Sequence, residues 1–186
     1  MRKQIRFPRK QRGLGVIDAL IGIILIAGAA GFYIYNGKQA SGSQLSGNEA
    51  TQHAAWVGRI QKAFNEQGDF AGLTSKSLVD LGIVDRKRLS GNAVLTGWNT
   101  GLVAVPANVN GAANDGFTFT VPMPRDACGS YVSAVASAAS IITVGGTSVL
   151  NGVTGDGKLN VAGASTACNA SGGAGSVNVV ISASRG

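Results

Sequence analysis

The sequence predicts an α+β protein: a long N-terminal helix, apolar in its first half and amphipathic in its second, packed on an antiparallel sheet whose C-terminal region is closed by a disulfide. Three observations lead there. Residues 14–36 are almost all apolar. Residues 48–65 repeat apolar side chains at three- and four-residue spacing. Beyond Gly68, short alternating runs are separated by turn residues, with helical runs set apart from the strands, as in α+β folds.

The first element is a basic leader, residues 1–13. Arg2, Lys3, Arg6, Arg9, Lys10 and Arg12 place most of the formal charge of +7 there, with no acid among them. A nucleic-acid surface needs positive charge clustered on the folded domain. The domain offers only Arg86-Lys87-Arg88, read as a solvated turn, so no direct nucleic-acid binding is expected. The leader instead predicts topology: its positive charge stays in the cytoplasm and the remainder is exported. Residues 14–36 follow as a membrane-spanning segment. As a helix, Leu14–Tyr35 would span about 33 Å, against a hydrocarbon core of about 30 Å. Asp18 lies inside it, at a cost of about 2.5–3.5 kcal/mol or more at mid-membrane, so it reads as functional. Gly15, Gly22, Gly28 and Gly31 permit close helix–helix approach.

Gly37–Asn48 is polar and rich in glycine and serine, which by composition marks a linker. Ala50, Ala54, Val57, Ile60 and Phe64 then predict a helix over 48–65 whose stripe packs on a sheet. His53, the single histidine, lies beside that stripe. It reads as structural, since no nucleophile or acid sits near it in sequence. Residues 67–186 form the globular domain. Leu73–Gly82 predicts a short helix started by Thr74 or Ser75 and stopped by Gly82. Val94–Leu95, Gly101–Val105 and Phe117–Val121 predict strands. Pro122–Pro124 should break the chain before a helix over Arg125–Ala139. Ile141–Val144, Ser148–Leu150 and Leu159–Val161 are strand candidates, and Ser176–Ala183 alternates most clearly. Cys128 and Cys168 lie in the exported part, where an oxidising compartment favours one disulfide over two buried thiols. Closing that loop contributes about 4 kcal/mol by chain entropy. With one distant histidine, the two cysteines lack zinc-ligand spacing.

Two export signals compete in the leader. Ala27-Gly28-Ala29 could end an ordinary signal peptide, cleaved after Ala29. Alternatively, Lys10-Gln11-Arg12-Gly13 followed by Leu14-Gly15-Val16-Ile17-Asp18 and a long apolar run resembles a type IV prepilin signal. That resemblance implies cleavage after Gly13, N-methylation of Leu14, and an assembly role for Asp18, which stands where the family usually has glutamate. Cleavage frees an α-amine one helical turn from Asp18. A buried carboxylate is tolerated when paired with a cation, here its own Leu14 amine or, as the resemblance implies, a neighbouring subunit's. A Leu14 start resembles the type IVb branch. So does the domain: Phe70-Ala71-Gly72-Leu73, the helix ending Leu81-Gly82-Ile83-Val84, the segment Gly97-Trp98-Asn99-Thr100-Gly101, Cys128 opening a helix, and Cys168 before the last strand. This order is similar to the thin-pilus major pilins of conjugative plasmids and enteric pathogens. The resemblance implies that residues 37–66 continue the N-terminal helix, and that Cys128 and Cys168 close the family's C-terminal loop.

Little points to catalysis. Gly152–Lys158 has phosphate-loop spacing, but Leu159 stands where Ser or Thr would bind magnesium, and no helix is predicted to follow. Asp115, Asp126 and Asp156 fall in separate turns. No catalytic residue, cofactor or metal site is expected. The resemblance implies a structural subunit that forms a helical homo-oligomeric filament. Its other expected partners are the inner membrane before assembly, a prepilin peptidase with the assembly machinery, and a host or recipient-cell surface. The resemblance also implies an extracellular pilus on a Gram-negative bacterium, serving adhesion, aggregation or conjugative contact. A minor pilin or secretion pseudopilin, and a secreted or periplasmic binding domain, are the alternatives.

Overall fold

The computed structural model describes residues 42–170 and 175–185. The leader, the predicted membrane segment, and with them Gly13, Leu14 and Asp18, lie outside the described residues. Among the described residues no helix is long and apolar enough to cross a membrane.

Helix α1 covers residues 42–64. The stretch that composition marks as linker is therefore helical from residue 42. Glycine costs a helix only about 1 kcal/mol relative to alanine and serine less, and tertiary burial outweighs that here. Ser46, Glu49, Ala50, His53, Trp56, Val57, Ile60 and Phe64 form one buried stripe. Two hydroxyls are also satisfied within the helix, Ser46 donating to the Gly42 carbonyl at 2.7 Å and Thr51 to that of Gly47 at 2.8 Å.

The stripe lies on one face of a seven-stranded sheet, β1 (Leu89–Ser90), β2 (Ala93–Leu95), β3 (Gly101–Ala107), β4 (Gly116–Pro124), β5 (Ile141–Val144), β6 (Thr147–Asn151) and β7 (Ser176–Ser184). Their order is β1-β2-β3-β4-β7-β5-β6, and every neighbouring pair is antiparallel. The predicted α+β fold is thus the observed one. Strand β4 turns Phe117, Phe119, Val121 and Met123 inward. Phe64, Phe70, Phe117 and Phe119 form a continuous aromatic run with centroid separations of 5.2–5.6 Å, and Gln61 of α1 donates to the Ser184 carbonyl at the end of β7. The hairpin β5–β6 turns on Gly145 and Gly146, both with positive φ (55° and 89°), as a tight two-residue turn requires.

Pro122 and Pro124 do not break the chain. Strand β4 runs through both, paired to Asn178 and Ser176 of β7. Pairing of β3 to β4 stops at Thr120, so beyond it one edge of β4 is open and the missing N–H groups of the prolines interrupt no ladder.

Helix α2 (Ser75–Asp80) begins in a capping box formed by Thr74 and Ser77. Helix α3 (Arg125–Val135) buries Cys128, Tyr131, Val132 and Val135, and a 3-10 turn, Ala136–Ala138, follows it. Helix α4 (Val161–Ala170) is missing from the sequence reading, which makes Leu159–Val161 a strand. Its buried side are the small residues Ala164, Ala167 and Cys168, too small to mark a helical stripe. Between β3 and β4, the Asp115 carboxylate accepts from the N–H groups of Val109, Asn110 and Ala112 at 2.6–3.1 Å. The Val109 bond is the largest of the causes holding that carboxyl below the usual range.

Candidate functional site

The most concentrated polar chemistry among the described residues lies under α1. Glu49 and His53 are one turn apart and face the core, 4% and 0% exposed. Arg88 reaches Glu49 from a 3-10 turn, Arg86–Arg88. Its Nη2 is 2.8 Å from both carboxylate oxygens. Its Nε donates to the Leu95 carbonyl at 2.8 Å, and its Nη1 to Gln52. The guanidinium lies 5.1 Å from the centre of the Trp56 ring, close enough for a cation–π contact. Arg86-Lys87-Arg88 is therefore no mere solvated turn, because Arg88 clamps the sheet edge to α1.

His53 Nδ1 is 2.5 Å from the Tyr131 hydroxyl of α3, and its Nε2 is 3.4 Å from Glu49 Oε2, an ion-pair distance without a well-formed hydrogen bond. The carboxylate assigns the tautomer. A bare Nε2 lone pair would face a negative oxygen, so Nε2 carries the proton and the Tyr131 hydroxyl donates to Nδ1. Burial is the main cause holding His53 below its usual pKa, helped by Arg88 and opposed by Glu49. Burial pushes Glu49 up, but the facing His53 N–H, the Gly97 N–H and the Arg88 charge together hold it below the usual range. Burial first, then the Glu49 charge, raises Tyr131 well above its ordinary value. At neutral pH the cluster is therefore Glu49 carboxylate, neutral His53 and Tyr131 hydroxyl.

A carboxylate–imidazole–hydroxyl relay has the parts of an activated nucleophile. Here Tyr131 and His53 are both 0% exposed, so no substrate reaches the hydroxyl. What the arrangement does is fix α1, the sheet edge and α3 to one another. The Gly97–Gly101 segment serves that purpose. A Cβ at Gly97 would lie 2.7 Å from Leu45 Cδ1 and 2.9 Å from Glu49 Oε1, so a larger residue there would make those two side chains shift. Trp98 packs edge-on against Tyr131, with ring centroids 5.7 Å apart. Asn99 takes a left-handed φ of 59°, and the turn closes through Thr96 N–H to the Thr100 carbonyl at 2.8 Å.

Contrary to the reading that no acid sits near His53 in sequence, Glu49 lies one helical turn away on the same face. The i, i+4 spacing was its available signal. Arg88 and Tyr131 had none, being distant in sequence. Cys128 of α3 and Cys168 of α4 are joined in a disulfide, Cα atoms 5.8 Å apart. The Gly152–Lys158 loop binds itself: Asn151 accepts from the N–H groups of Val153 and Thr154, and Asp156 from that of Lys158. A helix does come after it, but begins only at Val161.

Residues 46–184 match the family model described as PilS N terminal. The chain belongs to this family of type IV pilins. The fold of this pilin is also similar to the crystal structure of TcpA, a type IV pilin from Vibrio cholerae El Tor biotype. The TM-score is 0.55 at 18% sequence identity, covering 74% of this chain and 99% of that one. At that identity the likeness concerns the fold. No curated protein matches the pilin.

Proposed function

We propose that the chain is a structural subunit of a type IVb pilus, made as a precursor with its N-terminus in the cytoplasm and assembled into an extracellular filament. The family match over residues 46–184 is the observation that carries this reading. The leader supports it from a region the family match does not reach. In this reading residues 1–13 are removed by a prepilin peptidase, Leu14 is methylated, and 14–36 serve first as membrane anchor and then as filament core. Residues 37–66 join that core to the globular domain, 67–186. Asp18 pairs with the Leu14 amine of a neighbouring subunit and sets the axial register. In the extracellular fibre the hydrophobic effect holds that core together, at about 25 cal/mol per Å² of apolar helix surface kept from water. Contacts that run head to tail without closing produce a fibre.

N-terminal analysis of the mature protein tests the processing. A chain beginning at methylated Leu14 is expected, and one beginning at Ala30 would make this an ordinary secreted domain. Electron microscopy of sheared cell-surface material should show filaments composed mainly of this chain. Traces within fibres of another subunit would mean a minor pilin. Asp18→Ala should leave cleaved subunits in the membrane without filaments, and normal piliation by that variant would remove Asp18 from the mechanism.

A further inference from the structure

Asparagine followed by glycine is a step at which a peptide chain can attack itself. The glycine nitrogen is unhindered by a side chain, and the asparagine amide carbon lies within a five-membered ring of it, so the attack is intramolecular. Asn-Gly occurs at 36–37, 110–111 and 151–152. The first of these lies outside the described residues. The fold treats the other two in opposite ways.

Asn151 and Gly152, at the end of β6, are held at every reacting group. Asn151 Oδ1 accepts from the Val153 and Thr154 N–H groups, and its Nδ2 donates to the Thr154 hydroxyl at 2.8 Å. The Gly152 N–H donates to the Ser140 carbonyl at 2.7 Å. The nitrogen and the amide carbon therefore meet only after this turn opens locally.

Asn110 and Gly111 lie in the loop between β3 and β4. The Asp115 carboxylate accepts from the N–H groups of Val109, Asn110 and Ala112, and passes over that of Gly111. Among the described residues neither the Gly111 N–H nor the Asn110 side-chain amide has a partner. Asn110 is exposed. Gly111 has a φ of 96°, and nothing lies within 4 Å of where its Cβ would stand. The main chain is anchored on both sides of the step, while the nucleophile and its target are open to water.

We infer that the fold leaves Asn110-Gly111 as a self-modification site while it protects Asn151-Gly152. The Gly111 nitrogen gives its proton to hydroxide and bonds to Asn110 Cγ. The Cγ–Nδ2 bond breaks, and the amide leaves as ammonia with a proton taken from water. Water then adds across one of the two C–N bonds of the resulting cyclic imide, leaving aspartate or isoaspartate at 110. Nothing is oxidised or reduced, and water with its hydroxide is the only co-reactant. The product carries a new negative charge in the loop that already holds the Asp115 carboxylate, so the exposed surface between β3 and β4 becomes more acidic as the chain ages.

The test ages the full chain, in detergent with its disulfide intact, in warm and mildly alkaline buffer. Peptide mapping by mass spectrometry then reads the conversion of amide to acid at each asparagine. In the folded chain conversion should be about ten-fold or more faster at Asn110 than at Asn151, because only the latter waits for local opening. In denaturant both segments are released, and the two rates should come within about three-fold of each other. Asn110→Gln, whose longer side chain would have to close a larger ring, should show no conversion at this position over the same period. Equal rates at Asn110 and Asn151 in the folded chain, or a difference that persists undiminished in denaturant, overturn the inference. Either result leaves the pilin reading intact, since the chemistry does not depend on assembly.

Discussion

Replacing Glu49 with alanine should destabilise the domain by about 3 kcal/mol. Breaking a buried pair by removing one partner costs roughly 3–5 kcal/mol. The lower end applies because the Arg88 side chain is 22% exposed and can recruit water, whereas that of Glu49 is 5% exposed. Glu49→Gln keeps an acceptor oxygen for Arg88 and loses only the charge, so about 1.5 kcal/mol is expected, near the lower limit for a charge-assisted hydrogen bond. The pair Glu49→Ala and Arg88→Ala should be strongly non-additive, the double variant costing about 1.5–3 kcal/mol less than the sum of the singles. Thermal unfolding followed by circular dichroism, on the full chain in detergent with its disulfide intact, would read the alanine variant as a shift of roughly 6–12 °C at about 2–4 °C per kcal/mol. Because the folded pKa of Glu49 lies below its ordinary value, this stabilisation is complete above the unfolded carboxyl pKa of about 4.3. It is lost as pH falls through the folded value. Additivity within about 0.5 kcal/mol, or equal effects of Gln and Ala, would refute the charged clamp.

His53 has a folded pKa below its ordinary value, so its neutral form contributes stability that is complete above about pH 6.5 and declines below that as the unfolded chain takes up the proton first. The urea midpoint should therefore fall between pH 7.5 and 5.5 in wild type and fall less in His53→Gln; equal slopes would exonerate the histidine. Gly116→Ala should cost about 3 kcal/mol, since its Cβ would sit 2.6 Å from the Ala183 carbonyl oxygen and 2.4 Å from Val109 Cγ2. Gly58→Ala, on the exposed side of α1 with nothing within 4 Å, should instead stabilise by up to about 1 kcal/mol, and chemical denaturation showing the opposite order would contradict both. Reducing the Cys128–Cys168 disulfide, which spans 40 positions, should cost about 4 kcal/mol. Thiol labelling of the folded fibre should find no free cysteine.

The strands were legible where alternation is strict, as in Ser176–Ser184 and Phe117–Val121, because period-two burial writes itself directly into the residue order. Helix α4 was not, because alanine and glycine carry little hydrophobic contrast, and what buries them is the disulfide and the sheet edge. Composition alone marks the Gly/Ser-rich start of α1 as a linker for a related reason, whereas the resemblance implies a helix there. Its local preference is weak, and the contacts that decide it come from Gly97 and Arg88, some forty to fifty residues along the chain.

By itself, then, the order of residues determines the fold class, the amphipathic stripe of α1, the expectation of one disulfide and the reading of the leader. Each depends on neighbours in sequence, on composition or on compartment. Only the tertiary structure decides that Glu49, His53, Arg88 and Tyr131 form one network, that the Gly97 turn lies against Leu45 and Glu49 of α1, and that Arg125 Nε and Nη2 are left with no acceptor. Those properties arise from chain segments far apart in sequence, and neither periodicity nor propensity carries information about which distant side chain will arrive.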